Sequence, residues 1–128
     1  MRVLIIDDDV VARELLTSTL KLAGHEVFEL NSAIGATRAI AQYEIDVAVV
    51  DVMLPDIRGD KLAQVLRQNP RGASLGIVLV SGCPVEELRA LADSSQADIA
   101  LQKSDIRLGL APAVKVAWHR RSRASRAG

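Results

Sequence analysis

An open, doubly wound α/β domain, with a five-stranded parallel sheet and helices on both faces, is the fold class this sequence predicts. Three observations predict it. Continuous apolar runs of strand length alternate along the chain with stretches of helical period. Runs that are apolar at every position need cover on both sides, and parallel strands need crossovers, usually helical. The chain has 128 residues, 49% of them hydrophobic, which suits one domain that buries its core without staples.

The elements follow in order. Val3 to Ile6 is a β-branched and aliphatic run that predicts the first strand. In "DDDVVARELLTSTLKLAG", Ala12, Leu15, Leu16, Leu20 and Ala23 recur at helical spacing, Asp9 suits the N-cap, and Gly24 suits the C-terminal cap. Glu26 to Leu30 predicts a short strand. Ser32 caps a second helix that runs through Ile34, Ala39, Ile40 and Ala41 to about Gln42, with Tyr43 closing it. Val47 to Val50 is the third strand. Asp60 to Gln68 repeats the helical pattern through Leu62, Val65 and Leu66, and "NPRG" stops it. Ile77 to Val80 is the fourth strand, Pro84 opens a helix through Leu88, Leu91 and Ala92, and Ile99 to Leu101 is the fifth strand. Proline in a helix interior costs about 3 kcal/mol, so Pro112 places the start of the last helix near Ala111. Its inner face is Val114, Ala117 and Trp118, and the stretch before it is expected to be irregular.

Charge is balanced overall, with 16 basic and 16 acidic residues. The balance hides an asymmetry, because Arg120, Arg121, Arg123 and Arg126 crowd an ending, "RRSRASRAG", that holds no acid. The expected organisation is a domain over residues 1–119 and a basic, disordered tail or linker stump over residues 120–128. Such a chain is expected to be either a stand-alone module or a piece of a longer regulator. Nucleic-acid contact through this domain is not expected, since the folded part has no basic face and one each of Phe, Tyr and Trp to stack bases. The single Cys83 excludes an internal disulfide framework, and "MRVLII" lacks the features of a secretory signal. No apolar run approaches the roughly 20 residues of a membrane-spanning helix. A soluble, cytoplasmic protein with no membrane partner is therefore expected.

In doubly wound sheets, ligands bind outside the carboxyl ends of the strands. Here the first strand delivers Asp7 and Asp8, the third Asp51 and the fourth Ser81, while Lys103 follows the fifth. Taken singly, these residues are ordinary: acids cap helices, Ser81 starts a turn and a lone lysine is a surface charge. Together they make a site. Three carboxylates at one edge repel each other unless a proton or a hard cation joins them. Mg²⁺ suits such a set, since it takes one or two carboxylates, waters and a substrate phosphate, and Mn²⁺ can stand in for it. Lys103 offers a point charge to a phosphate oxygen, the Ser81 hydroxyl a hydrogen bond, and Asp51 a carboxylate nucleophile able to form an acyl phosphate.

"VLIIDDD", "VVDVMLPDIRG", "IVLVSG" and "ALQK", in this order and separation, resemble the receiver domain of two-component response regulators from about Arg2 to Trp118. The resemblance implies a flavodoxin-like strand order, 2-1-3-4-5. It further implies that Asp51 is the phosphoacceptor and that Asp7, Asp8, Asp51 and the Met53 main-chain carbonyl hold the metal. Ser81 and Lys103 match the switch hydroxyl and the lysine that bind phosphate, and Pro55 and Gly59 match the loop after the acceptor. The implied partners are a histidine kinase or phosphotransfer protein as donor, an output partner protein of unknown identity, and a second copy of the chain. No enzymatic activity is implied beyond self-phosphorylation and self-dephosphorylation at Asp51.

The pattern departs from the family at two places. Ala100 stands three residues before Lys103, where the family places an aromatic, and Ser104 stands where it places proline. The residues two beyond Asp51 and two beyond Ser81, which set phosphate lifetime in the family, are Met53 and Cys83; neither suits orienting water. Two other readings compete. One is a receiver-like interaction domain that works without phosphorylation, which Ala100 and Ser104 favour. The other is a phosphohydrolase with an aspartate nucleophile, but such enzymes resemble a pattern with a second Asp two residues on, where Met53 stands. His25 and His119 have no partner at metal spacing, and Cys83 is expected to be a packing residue.

Overall fold

The computed structural model describes residues 1–127, and side chains through residue 122. Its elements in chain order are β1 (Arg2–Ile6), α1 (Val10–Leu22), β2 (Glu26–Leu30), α2 (Ala36–Gln42), β3 (Val47–Asp51), α3 (Gly59–Gln68), β4 (Gly76–Ser81), α4 (Val85–Ser95), β5 (Ile99–Gln102) and α5 (Ile106–Ala127). The five strands are parallel and lie in the order β2-β1-β3-β4-β5, as the resemblance implies.

Every residue of β3 and β4 is buried, because the period of two sends neighbouring side chains into two separate cores. Leu4, Ile6, Ala48, Val50, Ile77 and Leu79 pack beneath α2, α3 and α4. Val3, Ile5, Val47, Val49, Val78 and Val80 pack against Leu16 and Leu20 of α1 and Ile106, Leu110, Val114 and Ala117 of α5. The apolar runs of the sequence are thus two interleaved faces.

Local chemistry sets the helix ends. Asp9 caps α1, its side chain accepting from the Val11 N–H, and Gly24, at φ +92°, lets His25 N–H reach back to the Leu20 carbonyl. Ser32 does not open α2. Its hydroxyl accepts from the Ile34 N–H in the preceding turn, while the Ala33 N–H turns away to Asp56. Gly35, at φ +85°, breaks the path, and the helix begins at Ala36 with Ile34 left in solvent. Within α3, Ala63 rather than Val65 joins Leu62 and Leu66 in the core. Pro84 is the residue before α4, not its first.

The largest departure is at α5. A 3-10 turn, Lys103–Asp105, leads straight into a 22-residue helix that contains Pro112 in its interior. The carbonyl the proline frees belongs to the exposed Leu108, and burial of Ile106, Leu110, Ala113, Val114 and Ala117 on both sides of it holds the helix against the cost. The helix also continues past residue 119, where a disordered tail was expected. Arg121 Nε lies 2.6 Å from the buried Asp98 carboxylate, and an Arg120 guanidinium N–H donates to the Asp98 carbonyl. Two of the tail's arginines therefore anchor α5 to the start of β5. The side chains of Arg123 and Arg126, and all of Gly128, lie outside the described residues.

Candidate functional site

Asp7 and Asp51 each stand two residues beyond a paired position, Ile5 opposite Val49, on adjacent strands. They continue the alternation that buries Val3 and Ile5 on one strand and Val47 and Val49 on the other. Both carboxylates are buried, whereas Asp8 next to Asp7 is exposed. Carboxylate oxygens of Asp7, Asp8 and Asp51 all lie within 4.8 Å of one another. Lys103, just past β5, places Nζ 3.3 Å from Asp51 Oδ2 and 3.4 Å from Asp7 Oδ2. Ser81 is buried at the end of β4, next in sequence to the Val80 that pairs with Asp51. Met53 is exposed; its N–H donates to Asp51 Oδ1 at 3.3 Å. The Cys83 N–H donates to Ser81 Oγ at 3.2 Å, and its half-buried side chain packs on the α2–α4 core. Every side chain named from the sequence as a site residue lies at this edge of the sheet.

The electrostatics follow from burial and charge. Burial pushes the Asp7 carboxyl above its usual range, and the Asp51 charge adds to this, against the Asp9 N–H at 2.9 Å and Lys103. For Lys103, burial acts downward, but the charges of Asp51 and then Asp7 outweigh it and hold the ammonium above its ordinary value. Asp7 Oδ2 is buried and accepts no close hydrogen bond; the cation that faces it is Lys103 Nζ, at 3.4 Å. A buried carboxylate oxygen held only by a long ion pair, with two further carboxylates beside it, is a donor set that fits a hard divalent cation.

Sequence reasoning named one support of this site, Gly59, only as part of the loop after Asp51, and missed Arg13 and Gln102. Arg13, on α1, donates from Nη1 to the Asp7 carbonyl at 2.8 Å while its Nε pairs with Glu29 at 3.2 Å, so it fixes the loop that carries the acids. Its position one helical turn into α1 is the signal that could have found it. Gly59 is packed so tightly that a Cβ there would stand 2.2 Å from the Asp51 carbonyl oxygen, and its N–H donates to Val52. The third is Gln102, whose amide donates to the Cys83 carbonyl at 2.8 Å.

Fold and site together define a doubly wound signalling module with an acidic cluster and a lysine at its strand ends. The family model of the response regulator receiver domain matches residues 3–109, and the chain belongs to that family. It is 33% identical over 101 residues to the transcriptional regulatory protein GltR of Pseudomonas aeruginosa, covering 79% of this chain and 42% of that protein. It is 29% identical over 103 residues to the sensor histidine kinase RcsC of Salmonella typhimurium, covering 80% of this chain and 11% of that one. The chain thus spans less than half the length of these curated relatives. Among solved structures, a sensor protein from Polaromonas sp. JS666 superposes with a TM-score of 0.85 at 27% identity, over 94% of this chain and 97% of the other. A CheY-like receiver domain protein from Methanospirillum hungatei JF-1 shares the fold with a TM-score of 0.79 at 23% identity, over 99% and 98% of the two chains.

The chain is a response regulator receiver domain of the two-component type. Such domains receive phosphoryl groups from histidine kinases, pass the signal to output domains, and bind Mg²⁺ at an acidic cluster. They are generally signalling modules rather than enzymes. Among the described residues, no helix is long and apolar enough to cross a membrane.

Proposed function

We propose that this receiver domain takes a phosphoryl group on Asp51 from a histidine kinase or a phosphotransfer protein. The observation that carries the reading is the convergence of three carboxylates within 4.8 Å beside Lys103, with the buried Asp7 Oδ2 held only by its 3.4 Å ion pair to that lysine. Asp7, Asp8, Asp51 and the Met53 main-chain carbonyl are the residues to hold Mg²⁺, or Mn²⁺ in its place. When bound, the cation supplies positive charge that relieves the repulsion among the acids and between them and an incoming phosphoryl group.

The chain's own groups do the rest. The Met53 N–H holds one Asp51 oxygen, fixing the plane of the carboxylate. A carboxylate oxygen then attacks phosphorus; the O–P bond forms as the donor's P–N bond breaks, and the donor histidine leaves as neutral imidazole once it takes a proton. Lys103 balances charge on the transferred oxygens, and the Ser81 hydroxyl donates a hydrogen bond to one of them. Met53 and Cys83 offer no group to orient water, which favours a long-lived phospho-Asp51.

Residues 1–119 form the receiver unit in this reading, with α5 carrying the chain onward. The module works in the cytoplasm and acts on an output partner protein, with a homodimer as a further assembly. Phosphorylation of the full chain by a small-molecule phosphodonor with Mg²⁺, read by intact mass, tests the proposal. A gain of one phosphoryl group that is lost in Asp51→Asn supports it. No gain with any donor leaves the phosphorylation-independent interaction domain as the better reading.

A further inference from the structure

Gln102 stands between two residues of the site, as the register partner of Ser81 across the β4–β5 ladder and the immediate neighbour of Lys103. Its amide Nε2 donates to the Cys83 carbonyl at 2.8 Å. The Cys83 N–H in turn donates to Ser81 Oγ at 3.2 Å. Two hydrogen bonds thus connect the end of β5, through residue Cys83, to the Ser81 hydroxyl.

Besides these bonds and the packing of the Cys83 side chain on the core, little holds this turn. Gly82 is exposed, and a Cβ there would meet nothing within 4 Å, so packing does not restrain it. Ala100 presents a single methyl group, and a hollow of about 210 Å³ lies between β5 and α4, lined by Val85, Leu88, Ala100 and Gln102 among others. Among the described residues, the Gln102–Cys83 bond is the one side-chain hydrogen bond between β5 and the turn that follows Ser81. A hydroxyl that accepts from a fixed N–H still has its own proton to give.

We propose that Gln102 is a positioning residue for phosphoryl acceptance: it fixes the turn after Ser81, which sets the direction of the Ser81 hydroxyl, and it carries any displacement of that turn to the β5–α4 surface. The inference rests on the reading of Asp51 as the acceptor. Gln102 touches neither Asp51 nor the phosphoryl group; it acts through Cys83 and Ser81.

The test labels the full chain with an acyl phosphate donor and Mg²⁺, comparing the parent with Gln102→Leu, Gln102→Glu, Ser81→Ala and the double variant Ser81→Ala/Gln102→Leu. Leucine keeps the bulk without the donor, and glutamate keeps the shape but turns an acceptor on the Cys83 carbonyl. Both variants are expected to slow the maximal labelling rate about fivefold, with the half-saturating donor concentration unchanged. In the Ser81→Ala background, Gln102→Leu should add nothing, because both changes remove one function. The Cys83 amide resonance should also shift in both Gln102 variants. Should the leucine variant fold poorly in a thermal melt, the isosteric glutamate variant carries the test. Unchanged rates in the Gln102 variants, or effects that add to that of Ser81→Ala, overturn this assignment alone. A parent that takes up no phosphoryl group overturns the acceptor reading and this assignment with it.

Discussion

Lys103 Nζ lies 3.3 Å from Asp51 Oδ2 and 3.4 Å from Asp7 Oδ2, one cation shared by two buried carboxylates. Burial lowers its proton affinity, and the charges of Asp51 and Asp7 more than restore it. A lysine whose folded pKa is raised contributes stability that is complete below its ordinary 10.5 and is lost as pH climbs through the folded value. Lys103→Met should therefore lower stability at neutral pH by about 2 kcal/mol, since it leaves two buried acids facing each other. It should also flatten the alkaline fall in stability relative to the parent. Urea midpoints between pH 7 and about 11 check both effects; parallel curves would remove Lys103 from the pair.

Asp7 has the opposite consequence. Its folded pKa is raised, first by burial and then by Asp51, so its favourable contribution exists below its ordinary 3.8 and is lost as pH rises through the folded value. At neutral pH, without metal, the ionised group is a liability. Asp7→Asn keeps an oxygen for the Asp9 N–H and removes the charge. It should raise the metal-free Tm by about 4 °C, roughly 1 kcal/mol for a domain of this size. Mg²⁺ should stabilise the parent and have much less effect on the variant. Paired calorimetric scans with Mg²⁺ and with a chelator give the comparison.

Gly59 stands directly behind Asp51. A methyl group there would meet the Asp51 backbone at 2.2 Å, and backbone cannot turn aside as a flexible side chain can. Gly59→Ala should cost about 2 kcal/mol and slow labelling of Asp51, because the only relief moves β3 or the start of α3. A variant with parental stability and labelling would show that the loop yields without disturbing Asp51.

Most of this was legible in the sequence where one physical signal dominated. The strands could be read because buried parallel strands are apolar at every position, and the site could be read because its residues fall where those runs stop. The opening of α2 was not legible: Ser32 is a good cap by type, but Asp56, distant in sequence, takes the Ala33 N–H and the helix waits for Ala36. Pro112 misled for a related reason, since the cost of an interior proline is local, and here it is offset by Leu110, Ala113, Val114 and Ala117 packing on the sheet beside it. The basic ending was read by composition alone, and its Arg121 finds an acid 23 residues back. Arg13 and Gln102 act on main-chain carbonyls, which leave no mark in the pattern of side chains.

That acid, Asp98, is the anchor of the long helix. Its carboxylate, 2% exposed, accepts from Arg67 Nη2 at 2.8 Å, Arg121 Nε at 2.6 Å and the Ile77 N–H at 2.7 Å. Removing the more exposed side of the cluster, the 22%-exposed Arg121, should be the milder change: Arg121→Ala is expected to cost about 1 kcal/mol and to speed amide exchange in the last turns of α5. Asp98→Ala should cost about 4 kcal/mol, because it strands the Arg67 guanidinium in the interior. Denaturant midpoints and hydrogen exchange over residues 115–122 separate the two; equal costs would contradict this division of labour.

In the proposed reading, reset of the module depends on how water reaches phospho-Asp51, and the two positions in question, Met53 and Cys83, lie just past β3 and β4. Met53 is 68% exposed and reaches Asp51 through its N–H; Cys83 is half-buried and reaches Ser81 through its own. Both backbones are tied to the site by main-chain N–H bonds, so a new side chain at the exposed Met53 changes the chemistry at the mouth without moving Asp51, while one at Cys83 must also leave the α2–α4 packing. Neither a thioether nor a thiol accepts a strong hydrogen bond from an attacking water. An amide or a carboxylate does, and orienting water in the transition state lowers the barrier. Met53→Asn and Cys83→Glu should each shorten the lifetime of phospho-Asp51 about tenfold, equivalent to about 1.4 kcal/mol of activation free energy. The decay of labelled protein after donor removal, followed by intact mass, gives the lifetimes. If both variants lose phosphate no faster than the parent, water access is limited elsewhere and the slow reset is not set by these two side chains.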